Sequence, residues 1–210
     1  MSKEKETHRE VRCFDNPVQI EIRKDGEGNE KRTIAGYAAV FNQLSRTIGW
    51  FREKIEPGAF EGRLADDVVA LYNHDFNKVL ARTISETLKL EVDDTGLRYE
   101  FEAPNTTTGN DLVEMVRRGD IQHSSFSFSV LEENWEEDED GAEIRTILKV
   151  KRLYDVSPVT FPAYLQTNVD VAKRSYEQWK ESHKENKPEY DPDRALKDAH
   201  DQIRAKLNLK

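Results

Sequence analysis

Serine stands at positions 124, 125, 127 and 129 of the stretch GDIQHSSFSFSV (119–130), with Phe126 and Phe128 interleaved. In a strand, successive side chains point to opposite faces. Phe126, Phe128 and Val130 therefore share one face, and Ser125, Ser127 and Ser129 share the other. The phenylalanines anchor such a strand in a core, and the serine row then lines a surface or a groove. Parity narrows the choice of a reactive hydroxyl to three residues and does not choose among them.

A serine hydroxyl is a poor nucleophile at neutral pH and needs a base within hydrogen-bond reach. The chain has 5 histidines: His8, His74, His123, His183 and His200. His8 lies in a polar terminus, and His183 and His200 fall on polar faces of C-terminal helical stretches. His74 follows the apolar run VVALYN (68–73), so it projects from the end of a buried strand. His123 shares a strand face with Ser125, but neighbours two apart have near-parallel side chains, a poor geometry for proton transfer. It is instead a candidate groove residue in contact with substrate.

A third group must orient the imidazole and stabilise its charged form. Asp155 interrupts the apolar residues Leu153, Val156 and Val159, and a carboxylate in that setting requires a partner. Asp75 is the rival, although an adjacent residue seldom reaches its neighbour's ring nitrogen. Metal chemistry has little support. Cys13 is the single cysteine, neither HExxH nor CxxC occurs, and no glycine-rich phosphate loop is present. No cofactor and no metal are expected.

The elements that must position these groups are mostly strands. VQIEIR (18–23), RTIAGYAAVF (32–41), VVALYN (68–73), LKLEVD (88–93), GLRYEFEA (96–103), SSFSFSV (124–130) and EIRTILKVKRLYDVSPVT (143–160) carry the signals. Turn chemistry at DGEGNE (25–30) and DDTG (93–96) joins neighbours into hairpins. EPGAFEGRL (56–64) reads as a short helix opened by proline. TTTGNDLVEMVRRGD (106–120) reads as a longer one, with Arg117 and Arg118 late and Gly119 as its stop. EENWEEDEDGAE (132–143) reads as an acidic hairpin tip turning at Asp140-Gly141 and solvated. The fold class expected is α+β, mainly β: a closed or nearly closed β-barrel flanked by helices, with a C-terminal helical tail. Residues 1–17 are expected to be a flexible segment, 18–168 the barrel domain and 169–210 the helical extension. Within that extension, Leu196, Ala199, Ile203 and Leu207 mark one face of a last helix.

Composition excludes some classes. With 41 acidic against 32 basic residues the net charge is -9, which argues against non-specific nucleic-acid binding. No window approaches the ~18 apolar residues of a membrane span, so no membrane partner is expected. One cysteine rules out an internal disulfide framework and points to an intracellular chain.

The ordered motifs AGYAAVFNQLS (35–45), EKIEPGAFEGRL (53–64), VVALYNHD (68–75), residues 80–121, SSFSFSV (124–130) and LYDVSPVTFPAYLQT (153–167) resemble the tailed-phage prohead maturation proteases. These are serine peptidases related in fold to the herpesvirus capsid protease assemblin. The resemblance covers roughly residues 18–168. It implies His74 as base, Ser125 as nucleophile and Asp155 as the acidic third member. The family pattern has glycine where this chain has Ser127, and Gly-Met where it has His123-Ser124. Ser127 joins His123 as a candidate substrate-groove residue. Ser157 and Val159, following Asp155 around Pro158, are the candidate oxyanion-hole segment. The implied function is an endopeptidase that cleaves scaffold or major capsid protein, and itself, inside the immature shell in the host cytoplasm. A homodimer or higher oligomer is implied as well. The alternative is a catalytically inactive assembly or scaffolding protein on the same barrel.

Overall fold

The computed structural model describes residues 9–14, 18–24, 30–139, 141–161 and 166–184. Among them lie ten strands and two helices: β1 (Glu10–Phe14), β2 (Gln19–Lys24), β3 (Glu30–Val40), β4 (Phe51–Ile55), β5 (Val69–Leu71), β6 (Val79–Arg82), β7 (Leu88–Val92), β8 (Gly96–Glu102), α1 (Thr107–Arg118), β9 (His123–Glu137), β10 (Glu143–Val159) and α2 (Gln166–Lys184). The chain divides into two compact units, one up to Arg174 and one from Ser175 onward. No described helix is long and apolar enough to cross a membrane.

The strands form two sheets, and among the described residues no closed barrel is found. One sheet runs β1-β9-β10-β5-β6 with β4 also on β10; the other runs β2-β3-β8-β7. The reason is the length of β10, whose 17 residues serve two neighbours in succession along one edge. Glu143–Ile147 pair parallel with β4, and Asp155 and Val156 pair parallel with β5. Its other edge carries β9 in an antiparallel hairpin with several register shifts. The mainly β class with few helices therefore holds, and the barrel gives way to two sheets.

The apolar face of β9 fills the core as strand parity requires. Phe126 and Phe128 are fully buried and stack 4.7 Å apart, and Phe60 meets Phe126 edge-on at 5.7 Å. From the second sheet come Ile34, Leu97, Tyr99 and Phe101, and from α1 come Leu112, Val113 and Val116. The α1 ends are set locally. Thr106 Oγ1 accepts from Gly109 N–H at 3.2 Å, and Gly119, at φ 80, takes the left-handed conformation that ends the helix.

Three expectations are corrected. Residues 56–64 form a run of turns closed by i to i+3 bonds, because Gly58 and Gly62 take φ of 91 and 72 and break any helix. Residues 132–137 continue β9 with Trp135 buried; its ring stacks on Trp50 at 5.4 Å, so only the tip of this acidic stretch turns. The N-terminal segment expected to be flexible contains an edge strand, because Glu10–Phe14 pair antiparallel with Phe128–Ser124. In the tail, α2 extends to Lys184, and the helix expected over 194–210 lies outside the described residues.

What fixes β1 is a buried ionic cluster. Arg12 Nε and Nη2 donate to the two Glu53 oxygens at 2.7 and 2.9 Å, and Nη2 also reaches Glu10 at 2.6 Å. Arg145 donates to Glu10 at 2.7 and 2.9 Å and to Glu53 at 3.0 Å, and also binds Glu133. Glu10, Arg12, Glu53 and Arg145 are all buried. Burial alone would raise the Glu10 pKa, but Arg145 and Arg12 reverse it and hold the carboxyl at about 2 against an ordinary 4.5. A depressed carboxyl pKa stabilises the fold above the ordinary value, and that stabilisation disappears as pH falls through the folded one. Denaturant unfolding should therefore show a stability loss setting in below pH 4.5 and continuing toward pH 2. Arg145→Ala, which leaves buried Glu10 and Glu53 to share the single guanidinium of Arg12, should cost about 3–5 kcal/mol at pH 7; a variant of wild-type stability would show that the cluster does not hold β1.

Candidate active site

β9, β10 and the turn after β5 bring the sequence candidates together. His74 Nε2 lies 2.6 Å from Ser125 Oγ, and His74 Nδ1 lies 2.5 Å from Asp155 Oδ1. Ser125 and Asp155 are fully buried, and the His74 side chain keeps 16% exposure. Register explains the convergence. Ser157 pairs with Ser125 and Asp155 with Ser127 across the β9–β10 ladder, so both side chains share the face to which β5 delivers His74. Asp75, the rival carboxylate, accepts instead from the Asn77 backbone at 2.9 Å and side chain at 3.1 Å, closing its own turn.

Asp155 gathers four partners in the site. Ser157 Oγ donates to Oδ1 at 2.9 Å, while the Ser127 hydroxyl and the Arg9 guanidinium both bind Oδ2. Arg9 Nε also donates to Ser127 Oγ at 2.7 Å, and the guanidinium lies 4.8 Å from the Phe76 ring centre and 5.6 Å from that of Tyr154. Burial pushes the Asp155 carboxyl up. The bond and charge of His74, the Ser127 hydroxyl and the Arg9 charge more than offset this, leaving it below the ordinary carboxylate value. A persistently ionised carboxylate is what a neighbouring imidazole needs to become protonated during proton transfer.

Ser125 has a second acceptor. Its Oγ donates to the Arg12 backbone carbonyl at 2.8 Å, on the strand paired beside it. One hydroxyl carries one proton. When that proton points at Arg12, His74 Nε2 must be protonated to hold the 2.6 Å contact. When it points at Nε2, Oγ is set to lose it.

The other candidates lie elsewhere. Ser127 is fully buried against Asp155 and so cannot line an open groove. Ser129, next in the row, is buried with no partner for its hydroxyl among the described residues. It lines a cavity of about 340 Å³ with Arg63, Asp66, Asp67, Lys151, Arg152 and Tyr154. Ser157 and Val159 are not in a loop. They belong to β10, paired with Ser125 and His123, and the Ser157 hydroxyl turns to Asp155. His123 is half-buried at the first position of β9. Ser124 bonds the Tyr99 hydroxyl at 2.9 Å, and Gly36 makes room, since a Cβ there would stand 2.7 Å from Ser124 Oγ. Among the described residues no three His, Cys, Asp or Glu side chains converge as metal ligands. Arg9 and the Arg12 carbonyl escaped the sequence reading, because a short strand with charged residues facing inward looks like a solvated terminus.

Residues 18–182 match the family model described as caudovirus prohead serine protease. The chain belongs to this family. Among solved structures, the bacteriophage T4 capsid assembly protease, gp21, matches with a TM-score of 0.51 at 12% identity, over 74% of this chain and 99% of that one. At that identity the likeness is one of fold. No curated protein matches the sequence. Arg9 and β1 precede the region matched by the prohead protease model, so that part of the site lies outside the family match.

Removing one donor from Asp155 should be measurable. Ser127→Ala takes away a hydrogen bond to a buried charge, worth about 1–3 kcal/mol. Because the Asp155 pKa is depressed, its stabilisation is present above the ordinary carboxylate pKa and lost as pH falls through the lower folded value. Urea unfolding should show the full deficit of Ser127→Ala at pH 7 and a narrowing gap toward pH 3. Superimposable curves at both pH values would remove Ser127 from the support of Asp155.

Proposed function

We propose that this chain is a serine endopeptidase in which Ser125 is the nucleophile, His74 the general base and acid, and Asp155 the group that orients and stabilises the imidazolium. The observation that supports it is the continuous relay from Ser125 Oγ through the His74 ring to Asp155, with contacts of 2.6 and 2.5 Å. Oγ attacks the peptide carbonyl carbon as Nε2 takes the hydroxyl proton, and the carbonyl π electrons move to oxygen. Collapse expels the amine, which receives its proton from Nε2, and leaves an acyl group on Oγ. Water, deprotonated by the same ring, then releases the acid and restores Ser125.

In this reading the substrates are scaffold protein, major capsid protein or both, cleaved inside the assembling prohead in the host cytoplasm, with self-cleavage as a further reaction. Family membership supports the setting. Residues 18–168 would form the protease domain onto which β1 docks, 169–210 would be an extension, and the working form would be a homodimer or larger. His123, at the start of the nucleophile strand, would contact substrate.

The test is co-expression with the phage's scaffold and capsid proteins, read by mass spectrometry of both the substrates and the chain itself. Ser125→Ala and His74→Ala should leave substrates and chain intact, while wild type truncates them. Asp155→Asn should fold and lose roughly 10³- to 10⁴-fold in rate, because the ring is left in the wrong tautomer. Full cleavage by Ser125→Ala would defeat the reading and favour a contaminating peptidase. An intact substrate with wild type would favour an inactive assembly protein.

A further inference from the structure

His74 is held in a backbone conformation that few side chains tolerate. Asn73 and His74 have φ of 54 and 58, and Asp75 N–H donates to Tyr72 O at 3.1 Å. Two successive left-handed residues closed by that bond make a type I′ turn, whose second central position is normally glycine. Asparagine and histidine are among the few side chains found there, and such residues persist only where the surroundings over-determine them.

The surroundings here are the end of β10. The β5–β10 ladder pairs Val69 with Asp155 and Ala70 with Val156. Beyond the end of β5, Asn73 renews the attachment. Its backbone N–H donates to Pro158 O at 3.1 Å. Its Oδ1 accepts from Thr160 N–H at 2.9 Å, and its Nδ2 donates to Thr160 Oγ1 at 3.2 Å. The side-chain amide thus binds one residue through both of its ends. Thr160 follows directly after β10, the strand that carries Asp155 and Ser157, both bonded to the His74 ring. The turn that bears the base and the strand that bears the carboxylate are locked together on both sides of the imidazole.

We propose that Asn73 is a positioning residue for the proteolytic reaction. Its clasp on Thr160 holds the strained turn so that the His74 ring spans Ser125 and Asp155. The inference rests on the protease reading above. A free type I′ turn would be served as well by glycine at position 73, but glycine cannot bind Thr160. Aspartate keeps the acceptor for the Thr160 N–H and tolerates the left-handed backbone, and the Thr160 hydroxyl can reverse to donate to it.

These differences define the experiment. The full chain, with Ser125→Ala as control, is treated with a fluorophosphonate, which forms a P–O bond to a reactive serine as fluoride leaves and the base takes the proton. Labelling rates give kinact and KI, and thermal melting reports the fold. Asn73→Gly is expected to melt cooperatively near wild type, keep KI within twofold and lose at least tenfold in kinact. Asn73→Asp is expected to regain at least a third of wild-type kinact. Wild-type kinact in Asn73→Gly would overturn the inference and leave the protease reading standing. So would a change confined to KI, an Asn73→Asp as slow as the glycine variant, or loss of cooperative melting in Asn73→Gly. Equal labelling of wild type and Ser125→Ala would overturn both.

Discussion

A carboxylate with no solvent contact, in the middle of a strand, is the constraint on which the site depends. Ionised Asp155 can stay buried only if donors replace the water it has lost. The fold supplies them from four parts of the chain: His74 after β5, Ser127 on β9, Ser157 two residues along β10, and Arg9 just before β1. Ser127 and Ser157 come with the β9–β10 register, whereas His74 and Arg9 come from a turn and from the residue before β1, where pairing with the buried charge offsets the cost of ordering them. The geometry suited to proton transfer is thus partly a by-product of satisfying one buried charge.

The same logic operates a second time on the same sheet. Glu10, Glu53 and Glu133 face Arg12 and Arg145 in a buried cluster that joins β1, β4, β9 and β10. Replacing a buried ion pair by apolar side chains often costs little, whereas losing one partner costs much. Such a cluster therefore specifies position more than it adds stability. What it specifies here is the seat of β1 against β9, and with it the places of Arg9 and the Arg12 carbonyl beside Asp155 and Ser125.

Much of this was legible in the sequence, for reasons that can be named. Alternation alone put Phe126 and Phe128 in the core, and the apolar setting of Asp155 announced that its carboxylate needed a partner. The capping pattern around 106–120 gave α1 almost to the residue. Alternation could not separate Ser125 from Ser127 and Ser129, because what distinguishes them is register. Ser157 stands opposite Ser125, Asp155 opposite Ser127 and Arg152 opposite Ser129, after register shifts that no periodicity encodes. The row expected to line a surface or a groove is buried: Ser125 lies against the His74 ring and Ser127 against Asp155, while β1 pairs along the outer edge of β9. The barrel was overdrawn for a related reason. Strand count does not reveal that one 17-residue strand will serve two partners along the same edge. Proline at the start of 56–64 suggested a helix, but the two glycines that follow adopt left-handed φ and decide the matter locally.

The two charged clusters meet at one atom. Ser125 Oγ lies within hydrogen-bond reach of His74 Nε2, which belongs to the Asp155 cluster, and of the Arg12 carbonyl, which the Glu53 pair holds in place. The hydroxyl proton must be shared between an acceptor that can carry it away and one that cannot. A backbone carbonyl is a weak base, so it never competes for the proton as a charge; it competes only for its direction. The β1 strand therefore acts on the Ser125 hydroxyl through orientation, and the strength of that influence depends on how firmly the Glu10–Arg12–Glu53–Arg145 cluster seats the strand. The seat of β1 in the sheet and the direction of the Ser125 hydroxyl are set by the same buried charges.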